Sequence, residues 1–167
     1  MREAGSGPRL RPPSNQYDRS VVRWWRTRLA LATAGTAVPL VVLALLITPA
    51  RPWLLTTAAA VGAVGLAAAV ALPIWWHRVH RWEVTDSAVY TRTGYFWQNW
   101  RIAPMSRIQT VDTTRGPVQR LFGLSTVKVT TASAAGAIAI AGLERQLAEQ
   151  VAHDLTLTTD ATPGDAT

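Results

Sequence analysis

The chain has no cysteine, which excludes a disulfide framework, a thiolate nucleophile and a cysteine-based zinc site and fits a reducing compartment. It also lacks a phosphate-cradling glycine-rich loop, a Gly-x-Ser-x-Gly elbow and a His-Glu-x-x-His helix, so the corresponding nucleotide-binding, hydrolase and metalloprotease readings fall away. The nearest approach to a metal-ligand set is His77, His80 and Glu83, at i, i+3 and i+6. Zinc normally demands three or four ligands in a closed shell, and a juxtamembrane setting explains the same residues. No enzyme activity, cofactor or metal is therefore expected.

A third absence is the most informative. Residues 29–47 and 53–76 contain no Asp, Glu, Lys or Arg. Helices rise about 1.5 Å per residue, so roughly 20 apolar residues cross a hydrocarbon core of about 30 Å. Both stretches reach that length, and the connector at 48–52 is too short to cross back. The prediction is a transmembrane helical hairpin over residues 21–81, with a disordered basic tail at 1–20. A cleavable signal peptide fits poorly behind a long Pro- and Arg-rich tail and ahead of a second span. A buried soluble hairpin would need a larger surrounding core than the remaining chain supplies.

What is present gives the orientation. Arg2, Arg9, Arg11, Arg19, Arg23, Arg26 and Arg28 precede the first span against Glu3 and Asp18, Arg78 and Arg81 follow the second, and Arg51 alone lies between. Basic residues near spans are retained in the cytoplasm, which puts both termini inside. Trp24, Trp25, Trp53, Trp75 and Trp76 fall at span ends, where indoles are accommodated between hydrocarbon and headgroups. Together with Arg26, Arg28, Arg78 and Arg81 they form the expected lipid-interface set, and membrane lipids the first expected partner. The formal net charge of +7 is concentrated beside the spans, because residues 82–157 hold seven basic and six acidic side chains. With no basic stripe interleaved with aromatics there, nucleic acid is not an expected partner.

Within the second span, Ala59, Ala63, Ala67 and Ala71 recur every four residues beside Gly62 and Gly65. Small faces let helices approach closely in lipid, and packing against the first span is expected, with a partner's helix as the alternative.

After the hairpin the pattern changes to short β-type runs at 82–86, 88–93, 96–103, 107–113, 126–131 and 137–141, separated by turn residues. In the fourth run Ile108, Thr110 and Asp112 alternate with Gln109, Val111 and Thr113. In the fifth, Val127, Val129 and Thr131 alternate with Thr126, Lys128 and Thr130, which marks one buried face. Trp97 and Trp100 lie three apart and are expected on opposite faces, one in the core. Leu143, Leu147, Val151 and Leu155 recur every four residues with Ala148 and Ala152 beside them, which predicts an amphipathic helix over 142–157. The fold class is thus α+β, a hairpin followed by a small, partly open barrel of six or seven antiparallel strands capped by a C-terminal helix. Residues 158–167 are expected to be disordered.

Four stretches, Trp82-Glu83-Val84-Thr85-Asp86, Arg107-Ile108-Gln109-Thr110-Val111-Asp112, Gly116-Pro117-Val118-Gln119-Arg120-Leu121-Phe122-Gly123-Leu124 and Val127-Lys128-Val129-Thr130-Thr131-Ala132, resemble the bacterial pleckstrin-homology (PH) domains of the YdbS type. The resemblance covers about residues 82–157, and the preceding hairpin matches the family's usual arrangement. It implies a PH-like barrel anchored in a bacterial plasma membrane, often encoded beside a larger membrane protein that carries several such domains. That protein, or a second copy of this chain, is the expected protein partner. The resemblance does not imply phosphoinositide binding, because the loop near Thr93-Gly94-Tyr95 offers Arg92 amid aromatics in place of a basic pocket. Arg107, Asp112, Arg115 and Arg120 suit either an ion-pair lattice or a polar face for a partner, and Gln109 and Gln119 suit hydrogen-bonded contacts. These six are the candidate partner-binding residues. Gly116, Pro117 and Gly123 are read as backbone-bending positions. His153 stands alone and is read as a surface residue.

Overall fold

The computed structural model describes residues 13–94, 97–132 and 136–161. Most of the basic tail, Tyr95, Phe96 and the last six residues lie outside the described residues. Two long helices, α1 (Ser20–Leu46) and α2 (Arg51–Val79), run antiparallel across a tight turn at Thr48–Ala50. Both are long and apolar enough to cross a membrane. They extend past the uncharged stretches at the ends away from the turn. α1 begins where the Asp18 carboxylate accepts from the Ser20 N–H at 2.7 Å. A negative charge at that position also suits the helix dipole. The hydrogen bonds to Ser20 hold the Asp18 carboxyl below its usual pKa.

The helices approach each other closely at Gly65, where a Cβ would overlap the Thr33 side chain. That contact sets which face of α2 turns inward. Ala58 and Ala69 are buried, whereas Ala59, Ala63, Ala67 and Ala71 are all exposed. The four-residue alanine stripe therefore does not pack against α1, contrary to expectation. It faces outward, one position round from the true contact face.

The strands form two antiparallel sheets. The first contains β1 (Asn15–Gln16), β2 (Arg81–Val84), β3 (Ala88–Thr93) and β4 (Asn99–Pro104), side by side in that order. The second contains β5 (Ile108–Thr114), β6 (Leu124–Thr131) and β7 (Ile138–Glu144), also in order. A one-turn helix, α3 (Pro117–Leu121), lies between β5 and β6, and α4 (Arg145–Ala161) closes the described chain.

The two sheets are not closed into a barrel, in line with the partly open form expected. Several other expectations need correction. Part of the basic tail is ordered, since Asn15 and Gln16 pair with Trp82 and Arg81. In β5 a bulge between Ile108 and Thr110 shifts the register. Ile108 and Val111 therefore turn inward while Thr110 and Asp112 are exposed, and the simple alternation breaks as bulges require. Leu143 belongs to β7, and α4 runs on to Ala161 into the expected loose tail. Neither Trp97 nor Trp100 is in the core, at 82% and 39% exposed.

One core serves both halves of the molecule. It gathers Val89, Leu124, Val127, Val129, Ile140, Leu143, Ala148 and Leu155 from the sheets and α4. It also includes Tyr17, just before α1, and Val21, Trp24 and Trp25 from its start. Gly142 makes that possible. Its φ is +92°, and a Cβ there would run into Val21 and lie 3.3 Å from the Trp24 ring.

Candidate membrane and partner interface

The junction between hairpin and sheets is built from aromatic and imidazole rings. Trp25 meets Trp76 edge-on at 5.6 Å, His80 at 5.4 Å and Tyr17 at 6.5 Å between ring centroids. Edge-on and tilted pairs at such spacings add to simple burial. The His77 Nε2–H donates to the Tyr17 carbonyl at 2.8 Å, which leaves Nδ1 to accept from the Gln16 amide at 3.0 Å. The Gln16 amide also donates to the His77 carbonyl at 3.2 Å. His80 Nδ1–H donates to the Trp76 carbonyl at 2.9 Å, and burial pulls its pKa below the ordinary value. Burial raises the Tyr17 pKa. His77 thus fastens α2 to the β1 segment, while His80 caps the end of α2 and lays its ring against Trp25 of α1. Among the described residues no group of three or more His, Cys, Asp or Glu side chains could hold a metal ion.

The expected lipid-interface residues separate into groups. Trp24 and Trp25 are enclosed by protein, 6% and 9% exposed, so they are core residues and not lipid-facing anchors. Trp76 packs partly buried against that core, and Trp75 is half-buried. Trp53 is exposed beside the turn, at the far end of the hairpin. Arg28 is exposed and its guanidinium lies 5.3 Å from the Trp24 ring. Arg81 is half-buried in β2. Arg26 and Arg78 are exposed and line one cleft of about 620 Å³ between the sheet-side ends of α1 and α2. Arg19, Arg23, Asp18 and His77 line it too.

A second feature lies at the same end of the first sheet. β1 leads into α1 and β2 leaves α2, so their junctions define a helix-side end. Antiparallel pairing returns β3 to that end, where Arg81, Arg92 and Trp100 are register neighbours. The Arg92 guanidinium sits 5.5 Å from the Trp100 ring, and exposed Trp97 follows Gly94 in the adjoining turn.

The six candidate partner-binding residues also divide. Gln119 is buried, its Oε1 accepting from the Gly116 N–H at 2.9 Å and its amide donating to Thr126 Oγ1 at 2.8 Å. Arg115 is half-buried and its Nε donates to the Leu124 carbonyl at 3.1 Å. Gln119 fastens α3 to β6 from an enclosed position, and Arg115 fastens the turn before α3 to β6. Arg107, Gln109, Asp112 and Arg120 are exposed, and Leu121, next to Arg120 in α3, is 79% exposed. Among the described residues β5 pairs only with β6, so its other edge is open.

The family model for the bacterial PH domain matches residues 28–157. The chain belongs to that family. The match begins inside α1, so the bacterial PH domain pattern takes in the hairpin as well as the sheets. The UPF0699 transmembrane protein YdbS of Bacillus subtilis (strain 168) is 27% identical over 157 residues, spanning 92% of this chain and 97% of that protein. No solved structure matches. The match covers the motif stretches around Arg107 and Gly116. It does not identify the junction residues Gln16, Tyr17 and Val21, which the sequence reading also missed. A signal for them existed, because Tyr17, Val21, Trp24, Trp25 and Arg28 recur at the three- and four-residue spacing of one helix face.

Proposed function

We propose that the chain is a non-enzymatic, membrane-anchored PH-like module that assembles at the cytoplasmic face with a larger membrane protein carrying related domains. The observation that carries this reading is the edge of β5 that no described strand pairs with, which carries exposed Gln109 and Asp112, with exposed Arg107 just before the strand and exposed Arg120 and Leu121 in the helix that follows it. An unpaired edge strand offers main-chain donors and acceptors to a second chain, and alternate side chains supply selectivity. The outward alanine stripe on α2 adds a surface on which a partner's helix can pack closely. The basic residues beside the spans support the cytoplasmic orientation. The test is co-purification of tagged full-length protein in mild detergent. A stoichiometric membrane-protein partner is expected, and Asp112→Lys or Arg107→Glu should release it. A protein that always runs alone, or a complex indifferent to both substitutions, would refute the assembly.

A second reading, direct contact with the anionic leaflet, is favoured by the convergence of Arg19, Arg23, Arg26 and Arg78 on one cleft.

A further inference from the structure

We propose that the cleft between the sheet-side ends of α1 and α2 is a binding site for the phosphate headgroup of an anionic phospholipid. The inference rests on the leaflet-contact reading and narrows it from a diffuse basic surface to one site. Arg19, Arg23 and Arg26 follow one another at four- and three-residue intervals, so they share a face of α1, and Arg78 meets them from α2. Four guanidinium groups thus border a space of about 620 Å³, within the roughly 300–1,000 Å³ typical of small-ligand sites. Among the described residues none of the four is ion-paired to a carboxylate; the ion pair found there is Arg145 with Glu149.

Among the described lining residues Asp18 is the one acid; it accepts from the Ser20 N–H at 2.7 Å and attracts Arg23. Four arginines against one carboxylate leave the rim positive. Gln16 and His77 hydrogen-bond each other, which holds the wall between β1 and α2 in place. Arg23 also lies 5.9 Å from the Phe122 ring, which ties this arginine to the α3–β6 corner.

The apolar lining decides for a lipid over a soluble anion. Val22 and Ile74 line the cleft beside the arginines, and Ile74 belongs to the uncharged stretch of the second span. A ligand seated here meets guanidinium groups on one side and the edge of the hydrocarbon on the other. Planar guanidinium forks match phosphate oxygens in pairs, and long arginine stems extend from an apolar helix end to headgroup level. Basic recesses between spanning helices are suited to acidic headgroups for these reasons.

The experiment uses delipidated full-length protein in neutral detergent, with lipid binding counted by native mass spectrometry. Dioleoyl phosphatidylglycerol, dioleoyl phosphatidylcholine and inorganic phosphate are titrated separately. One preferred phosphatidylglycerol is expected, undisplaced by millimolar phosphate. The double variant R26Q/R78Q should weaken it roughly 25-fold, two basic contacts at about fivefold each, with phosphatidylcholine binding and the thermal midpoint unchanged. R26K/R78K keeps the charge and should recover part of the loss. If R28Q/R81Q, whose residues do not line the cleft, weakens binding as much as R26Q/R78Q, the cleft proposal fails and diffuse leaflet contact stands. Displacement by inorganic phosphate at equal concentration would assign the site to a soluble anion and overturn the proposal. No preference for phosphatidylglycerol at low or high salt would remove both the cleft and the leaflet reading.

Discussion

Both ends of α1 carry large apolar side chains, in opposite surroundings. At the sheet end Val21, Trp24 and Trp25 are 0%, 6% and 9% exposed, whereas towards the turn Leu45 and Leu46 are 65% and 74% exposed. One end is a structural element of the folded domain, and the other presents its side chains to lipid. The hairpin is therefore more than a tether. Its first turns complete the core between two sheets that do not close on themselves, so the PH-like unit and the membrane anchor share one set of contacts. In water, apolarity at both ends would be driven inward by the same force. In a bilayer only the sheet end gains from packing against protein, because lipid tails are as apolar as leucine.

The sharpest way to break this contrast is to remove a large side chain from each end. Trp25→Ala should cost about 3–5 kcal/mol, as buried aromatic truncations do, because it removes the ring that meets Tyr17, Trp76 and His80. Leu45→Ala should stay within about 0.5 kcal/mol, as for surface positions. Reversible unfolding of both full-length variants in the same detergent, followed by near-ultraviolet circular dichroism, makes the comparison. Equal effects would show that Trp25 is an anchor of the same kind as Leu45.

Gly142→Ala approaches the junction from the sheet side. A side chain at φ +92° is strained, and its Cβ would meet Val21 and Trp24. The expected loss is about 2–4 kcal/mol, combining strain with overpacking. Limited proteolysis should then cut near residue 20 in the variant and spare the wild-type chain. If Gly142→Ala were neutral, α1 would not rest on β7 as closely as the structure has it.

The hairpin was legible in the sequence because an uncharged stretch of that length has few alternatives, and β6 because its valines alternate with polar residues on a half-buried sheet. The β7–α4 boundary was not. Leu143 satisfies the four-residue spacing of Leu147, Val151 and Leu155, yet it also continues the strand, and pairing with Ser125 decides in favour of the strand. The bulge at Gln109 was invisible for a related reason, since one extra residue reverses the facing of all that follow. Among candidate site residues, Arg107, Gln109, Asp112 and Arg120 lie on the surface as a partner role requires. Gln119 and Arg115 do not, because residue type alone cannot distinguish a side chain that contacts a partner from one that fastens a neighbouring turn. Trp24 and Trp25 misled for the opposite reason. A tryptophan at a span end suits an interface, and only the fold reveals that a domain already occupies that position.

The mildest probe of the contrast is acid. His80 lies on the sheet side of the junction, and burial depresses its pKa below the ordinary 6.5. The unfolded chain therefore takes up a proton as pH falls through 6.5 while the folded chain resists it. Stability contributed by the neutral ring is complete above pH 6.5 and is lost progressively below it, down to the folded value. Asp18 acts in a separate window, because its pKa is lowered from 3.8 and its contribution fades only in stronger acid. Unfolding midpoints of the full-length protein should thus decline as the pH falls below 6.5. His80→Gln should flatten that decline, since a neutral amide can still donate towards the Trp76 carbonyl. The outer half of the hairpin carries no titratable side chain between residues 29 and 50, so its helical signal should not change over the same range. If acid instead loosened the outer helices while leaving the tryptophan signal of the junction intact, His80 would not be the group that senses the change.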